Sequence, residues 1–204
     1  MYKLTILSAL LASTCSGTTF YFLRHAQGIH NAPPQGYDKD MSVDPDFKDA
    51  RLTPYGQQQT MMRRADYGDM TFDAMYSSPL RRCRQTLLGV YPQASVLPVV
   101  LDDRLVEQPS GRHIADRRME RDDVIAASPV AWDFSAVSET NPFNSGNETQ
   151  DTDNLVSFTQ DVKDRFPNGK VLVVAHSGVI WNWFRIHKGS DVRLDNCEMI
   201  VADM

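Results

Sequence analysis

The segment KVLVVAH, Lys170 to His176, limits the fold more than any other in the chain. Its apolar run is unbroken and rich in β-branched residues. A strand with one wet face alternates in polarity, whereas an unbroken run of this length suits a strand buried on both faces. Burial on both faces requires a layer of helices on each side. The rest of the chain supplies them. Thr19 to Leu23 is a short β-prone run. Thr53-Pro54 has the residue types of a helix N-cap and first helical position. Phe72 to Ser78 is a strand, and Ser78-Pro79 repeats the cap device. The helix expected after it has an apolar face of Leu80, Cys83, Leu87, Leu88 and Tyr91. Ser95 to Asp102 is a third strand, with Pro98 pointing to an edge or a bulge. Leu155, Phe158, Val162 and Phe166 mark a helix that stops at Pro167-Asn168-Gly169. A helix over Gly178 to His187 follows the apolar strand, and Cys197 to Asp203 closes as a strand. This alternation predicts an α/β domain, a three-layer sandwich with a mostly parallel central sheet flanked by helices.

The 204 residues suffice for one domain with a sizeable core. The charge balance of 21 Lys and Arg against 26 Asp and Glu gives −5, which argues against a general nucleic-acid binder. The start of the chain has one lysine, an apolar run from Leu4 to Ala12 and then small residues to Gly17. That is the layout of a secretory signal peptide, and the run is too short to span a bilayer. The expected organisation is a leader over 1–17 and one domain over 18–204. Secretion is the expected localisation, with the cytoplasm as the alternative. Removal of the leader would take Cys15 with it and leave Cys83 and Cys197, read as buried thiols. Asn147-Glu148-Thr149 is a glycosylation sequon that matters only in a secreted chain. The stretch 108–150 is irregular yet carries Trp132, Phe134 and Phe143, which suits a cap over a site better than a linker.

In an open parallel sheet, ligands bind beyond the carboxyl ends of the strands. The first strand delivers Arg24-His25 there. That pair alone allows three readings: a nucleophile with its anion clamp, a metal ligand beside a stray charge, or a polar strand end. The second strand delivers Ser77-Ser78-Pro79 and then Arg81 and Arg82, the third leads into Glu107, and the apolar strand delivers His176. A neutral imidazole is a competent nucleophile toward phosphorus. The three oxygens of a transferred phosphoryl group need fixed cations, and a partly desolvated carboxylic acid can protonate the leaving alkoxide. Together these residues make a phosphoryl-transfer set that needs no metal and no cofactor. No metal-spacing signature such as H-E-x-x-H occurs.

Five motifs in order resemble the histidine phosphatase superfamily, the phosphoglycerate mutase-like fold. They are Arg24-His25-Ala26 with Asn31 six residues after the histidine, Leu52-Thr53-Pro54-Tyr55-Gly56 with Gln59, and Ser78-Pro79-Leu80-Arg81-Arg82 with Gln85-Thr86. Leu105-Val106-Glu107 with Gly111 and His176-Ser177-Gly178 complete the set. The resemblance implies branch 1 rather than the acid-phosphatase and phytase branch, because the chain lacks Arg-His-Gly-x-Arg-x-Pro and a His-Asp pair. The run RHAQGxHN is similar to a phosphomutase-like subgroup. The resemblance further implies His25 as nucleophile and Glu107 as proton donor. It implies phosphate contacts from Arg24, Asn31, Arg82 rather than Arg81, and His176. The activity implied is hydrolysis of phosphate monoesters of small molecules through a phosphohistidine. A phosphomutase is the alternative, and a non-catalytic anion-binding module a more distant one.

Some residues have simpler readings beside these. Asp116 and Glu120 are the fallback acids. Arg112, His113, Arg117, Arg118 and Arg121 form a basic run, read as a solvated face or as a source of one or two pocket cations. Trp181, Trp183 and Phe184 are read as core contacts, and His30 as lining the pocket mouth.

Overall fold

The computed structural model describes residues 17–33, 35–37, 40, 43–108, 113–140 and 148–204. The expected leader, apart from Gly17, and Asn147 of the sequon lie outside them, as do Gly111, Arg112 and Phe143. The strands are β1 (Thr19–Arg24), β2 (Ala74–Ser77), β3 (Val100–Asp102), β4 (Asp133–Ala136), β5 (Lys170–Ala175) and β6 (Met199–Asp203). The helices are α1 (Pro54–Tyr67), α2 (Arg81–Val90), α3 (Arg121–Ala126), α4 (Glu148–Arg165) and α5 (Ser177–Lys188). The strands form one sheet in the order β4-β3-β2-β5-β1-β6, parallel except for β6. Among the described residues, no helix is long and apolar enough to cross a membrane.

β5 lies inside the sheet and uses both faces, as its unbroken apolar run requires. Leu172 and Val174 pack with Leu23, Cys83 and Leu87 on the α2 side. Val171, Val173 and Ala175 pack with Phe20, Phe22, Phe158 and Trp183 on the α4–α5 side. Trp183 fixes α5 against the sheet, with its ring 4.6 Å from that of Phe22 and 5.5 Å from that of Phe20. At the start of α1, the Thr53 hydroxyl accepts from Gly56 N at 2.9 Å and Pro54 takes the first helical position.

Four sequence expectations are corrected. α2 begins at Arg81 after Leu80, so Ser78 is not its N-cap; the Ser78 hydroxyl turns instead toward His176. β3 begins only after Pro98, and the sheet edge is β4, which with α3 lies in the stretch read as irregular. Trp181 is not a core residue. It is two positions from the fully buried Trp183, and residues that far apart on a helix face opposite ways. Arg118 of the basic run is neither solvated nor in the pocket, because it is buried on Asp103 at 2.8 Å. Cys83 and Cys197 are buried free thiols, as read.

Candidate active site

Strand register builds the centre. Arg24 pairs with Ala175 across β1 and β5, so the next residues, His25 and His176, leave adjacent parallel strands side by side. Their rings lie 5.1 Å apart, edge to face, and both are buried. Ser77 pairs with Val174, which brings Ser78 beside His176, and the Ser78 hydroxyl lies 2.9 Å from His176 Nε2. The Cys83 sulfur lies 3.4 Å from the same nitrogen. His25 Nδ1 is held by the carbonyl of Ala26 at 2.7 Å. A ring nitrogen facing a carbonyl must carry the proton, so the free lone pair of the neutral ring is on Nε2. Burial, aided by the charge of Arg82, holds both imidazoles well below the usual histidine range and keeps them neutral at pH 7.

Arg82 enters from the first turn of α2 and is completely buried. It donates to the carbonyl of Ala115 at 2.7 Å and to Asp116 Oδ1 at 2.9 Å. Arg24 is part-buried and donates to the carbonyl of Leu194. Among the described residues, each guanidinium keeps a buried Nε with no partner, and Nδ1 of His30 has none either. The His30 ring lies 5.6 Å from that of His25, so it adjoins the centre while remaining partly exposed. Burial, with Arg82 and Arg24 nearby, lowers its pKa to about 2. A third histidine one residue before Asn31 was the available sequence signal.

Glu107 follows β3 and a short 3-10 turn. Its Oε1 accepts from the backbone N–H of Gly178 and of Gln108, both at 2.9 Å. A carboxylate oxygen of Glu107 and a ring nitrogen of each of His25 and His176 lie within 4.8 Å of one another. Desolvation first, then the charge of Asp116, raise the Glu107 carboxyl to about 7 against the pull of Arg82. Gly178 is required here by close approach. A Cβ at that position would stand 2.0 Å from the carbonyl oxygen of Gln108 and 2.6 Å from Glu107 Oε1. Gly56 serves the other wall, where a Cβ would stand 2.2 Å from the carbonyl oxygen of Gln27, next to the His25 loop.

The structure thus gathers Arg24, His25, Arg82, Glu107 and His176. Asn31 is exposed beside them. Its side-chain oxygen accepts from Gly28 N at 3.0 Å and caps the turn, while its amide nitrogen makes no bond among the described residues. Of the fallback acids, Asp116 is engaged with Arg82 and Glu120 is exposed. His25, Glu107 and His176 have the donor types of a metal site. Two guanidiniums share their space, however, and a dication there would meet their repulsion whereas an anion would be drawn in.

A two-histidine, two-arginine centre at the carboxyl edge of a mostly parallel sheet defines an α/β enzyme built to hold an anion. The chain matches the histidine phosphatase superfamily (branch 1) over residues 20–202 and belongs to that family. Among curated proteins it is 27% identical over 164 residues to the protein named "Putative phosphoserine phosphatase 2" of Hydrogenobacter thermophilus, covering 78% of this chain and 73% of that one. It is 35% identical over 94 residues to phosphoglycerate mutase-like protein 1 of Arabidopsis thaliana, covering 41% of this chain and 33% of that protein. The crystal structure of phosphoglycerate mutase from Bacillus anthracis superposes with a TM-score of 0.59 at 18% identity. It covers 93% of this chain and 90% of that one, and it carries the phosphoglycerate mutase-like fold.

Proposed function

We propose that the protein is a metal-independent phosphatase that hydrolyses small phosphate monoesters through a phosphohistidine on His25. The observation that carries this reading is the pair of buried guanidinium nitrogens without partners among the described residues, Arg24 Nε and Arg82 Nε, beside a neutral histidine whose proton is held on Nδ1, leaving the lone pair on Nε2. Leaving buried polar atoms unpaired costs about 1–3 kcal/mol each, and phosphoryl oxygens would pair the guanidinium N–H groups. In the first step Nε2 of His25 bonds to phosphorus as the P–O bond to the alcohol breaks. Glu107, protonated at the outset, gives its proton to the leaving oxygen. In the second step a water attacks the phosphohistidine, Glu107 takes its proton, and inorganic phosphate leaves with the P–N bond electrons returned to Nε2. Arg24, Arg82 and His176 stabilise the charge on the transferred group, and the amide of Asn31 reaches its outer edge. The names of the matched relatives support phosphorylated small metabolites as the substrate class.

Similarity to the Arabidopsis protein favours a second reading, a phosphomutase that passes the phosphoryl group to another hydroxyl. One experiment addresses both: hydrolysis of an aryl phosphate in EDTA by the protein and by His25→Ala, with and without an alcohol acceptor. Hydrolysis that vanishes in the variant supports the phosphatase. Transfer to the acceptor at the expense of free phosphate supports the mutase. Activity unchanged in His25→Ala refutes both.

Residues 1–17 are further proposed as a leader that directs the chain to the secretory pathway. Mass spectrometry of the mature protein tests this, and an intact Met1-Tyr2-Lys3 start excludes it.

A further inference from the structure

A cavity of about 430 Å³ is lined by Gln108 and Gly178, the two residues whose backbone N–H groups hold Glu107. One wall is a face of α5, with Gly178, Trp181 and Arg185 at helical spacing; Gln108 and Asp151 stand opposite. The cavity begins at the residue that holds the candidate proton donor, since Gly178 N donates to Glu107 Oε1 at 2.9 Å. Arg24, His25, Arg82, Glu107 and His176 do not line the cavity, so only the far end of a leaving group that passes Glu107 can reach it.

The far end of the wall carries Arg185, and Arg193 reaches the Trp181 indole without lining the cavity. The Arg185 guanidinium lies 4.5 Å from the Trp181 ring, and that of Arg193, from the loop between α5 and β6, lies 4.9 Å from the same ring. Both arginines are exposed, and neither forms an ion pair among the described residues. Arg193 also adjoins the clamp, because the carbonyl of Leu194 binds Arg24. The nearby carboxylates are Asp191, which accepts from Trp181 Nε1 at 2.9 Å, the exposed Asp195 two residues beyond Arg193, and the buried Asp151. Stacking on an indole restrains a guanidinium while leaving its N–H edge free, the state in which arginine grips a carboxylate or phosphate bidentately. Two like charges on one ring repel each other, and an anion bound at either guanidinium relieves that.

We propose that Arg185 and Arg193, held on Trp181, form a second anion site that selects phosphomonoesters whose leaving group carries a further negative charge. The proposal rests on the phosphatase reading and names the substrate class for that site. Spacing sets the length of the leaving group. Gly178 to Trp181 is three residues of helix and Gly178 to Arg185 seven, rises of about 5 and 10 Å. The second charge therefore stands roughly one to two helical turns from the proton donor.

The test compares phenyl phosphate with 4-(2-carboxyethyl)phenyl phosphate and with the neutral amide of the latter. The leaving oxygens are chemically alike, and only the distal carboxylate differs. The expected result is a kcat/KM about tenfold higher for the carboxylate than for either neutral ester. In the Arg185→Gln/Arg193→Gln double variant that ratio falls to about one. Equal rates on all three esters in the unaltered protein overturn the proposal. So does a preference that survives the double substitution, or a loss shared equally by all three esters, which is the sign of a structural role. Calorimetric titration with the matching phosphonates reads the same preference as a Kd ratio without turnover. A protein that hydrolyses none of the esters yet keeps the Kd ratio refutes the phosphatase reading and leaves the anion site standing.

Discussion

Substituting Glu107 by glutamine separates proton donation from geometry. The glutamine oxygen can still accept from Gly178 N and Gln108 N, both 2.9 Å from Glu107 Oε1, so the loop stays in place. The transferable proton is lost. General acid catalysis is worth about 10²–10⁴-fold, or roughly 3–5 kcal/mol of barrier, when the leaving group is a poor one such as an alkoxide. A 4-nitrophenolate leaves without help, so the same variant should lose less than about tenfold on 4-nitrophenyl phosphate. The pH profile gives a second reading. With the carboxyl raised to about 7, half of it is protonated at pH 7 and about a tenth at pH 8. Hydrolysis of an alkyl phosphate by the unaltered protein should therefore fall about fivefold over that unit. The glutamine variant should show no such limb. Steady-state kinetics on the two esters from pH 5 to 9 provide both readings. An equal loss on the two esters, or a limb at pH 7 that persists in the variant, would refute Glu107 as the acid.

Gly178→Ala should displace Glu107, because its Cβ would stand 2.6 Å from Oε1 and 2.0 Å from a backbone oxygen that cannot swing away. We expect a stability loss of about 1–3 kcal/mol by urea titration and a larger activity loss on alkyl than on nitrophenyl esters. Arg82→Lys keeps the charge but cannot bridge the Ala115 carbonyl and Asp116 together. Inhibition by inorganic phosphate should weaken at least about tenfold, and a bond left unmade should cost about 1–3 kcal/mol of stability. Thermal stability should fall as the pH drops below about 6.5. His25, His30 and His176 stay neutral in the fold while the unfolded chain takes up protons on them, so acid favours unfolding. Glu107 and Asp49 act in the opposite sense, since burial raises both carboxyls, but they are two groups against four histidines once His187, also lowered by burial, is counted. Melting curves from pH 7 to pH 5 decide this, and a melting temperature that rises toward pH 5 would refute it.

The pairing of the two histidines was legible because β5 announces itself by an unbroken apolar run and β1 by a shorter one. Both end in the residue types that chemistry needs. What pattern alone could not show was the use made of small polar groups. Ser78 reads equally well as a helix cap, and only the β2–β5 register puts its hydroxyl 2.9 Å from His176. β4 escaped notice because Asp-Phe-Ser-Ala is too short for a period to assert itself, and α3 spans six residues. Trp181 was a different kind of failure. The pattern treated three nearby aromatics as one cluster, although a two-residue step on a helix separates Trp181 from Trp183 by more than half a turn.

The reactive geometry is set by backbone bonds and the selectivity by side chains on one helix face. His25 and His176 adjoin through a parallel register that cannot slip by one residue without turning every side chain of β1 to the opposite face, into cores that are filled on both sides. Glu107 is held by two backbone N–H groups, one of them at a glycine that no other residue can replace without a clash. Substitutions in this frame therefore lower activity whatever charge the leaving group carries, and those at Glu107 and Gly178 grade the loss only by how much protonation the leaving oxygen needs. Trp181 and Arg185 stand farther along α5 with no part in the sheet or the core, and can change without disturbing the frame. An exchange of Arg185 for an apolar residue should then shift which esters are hydrolysed, toward neutral leaving groups, rather than whether any are.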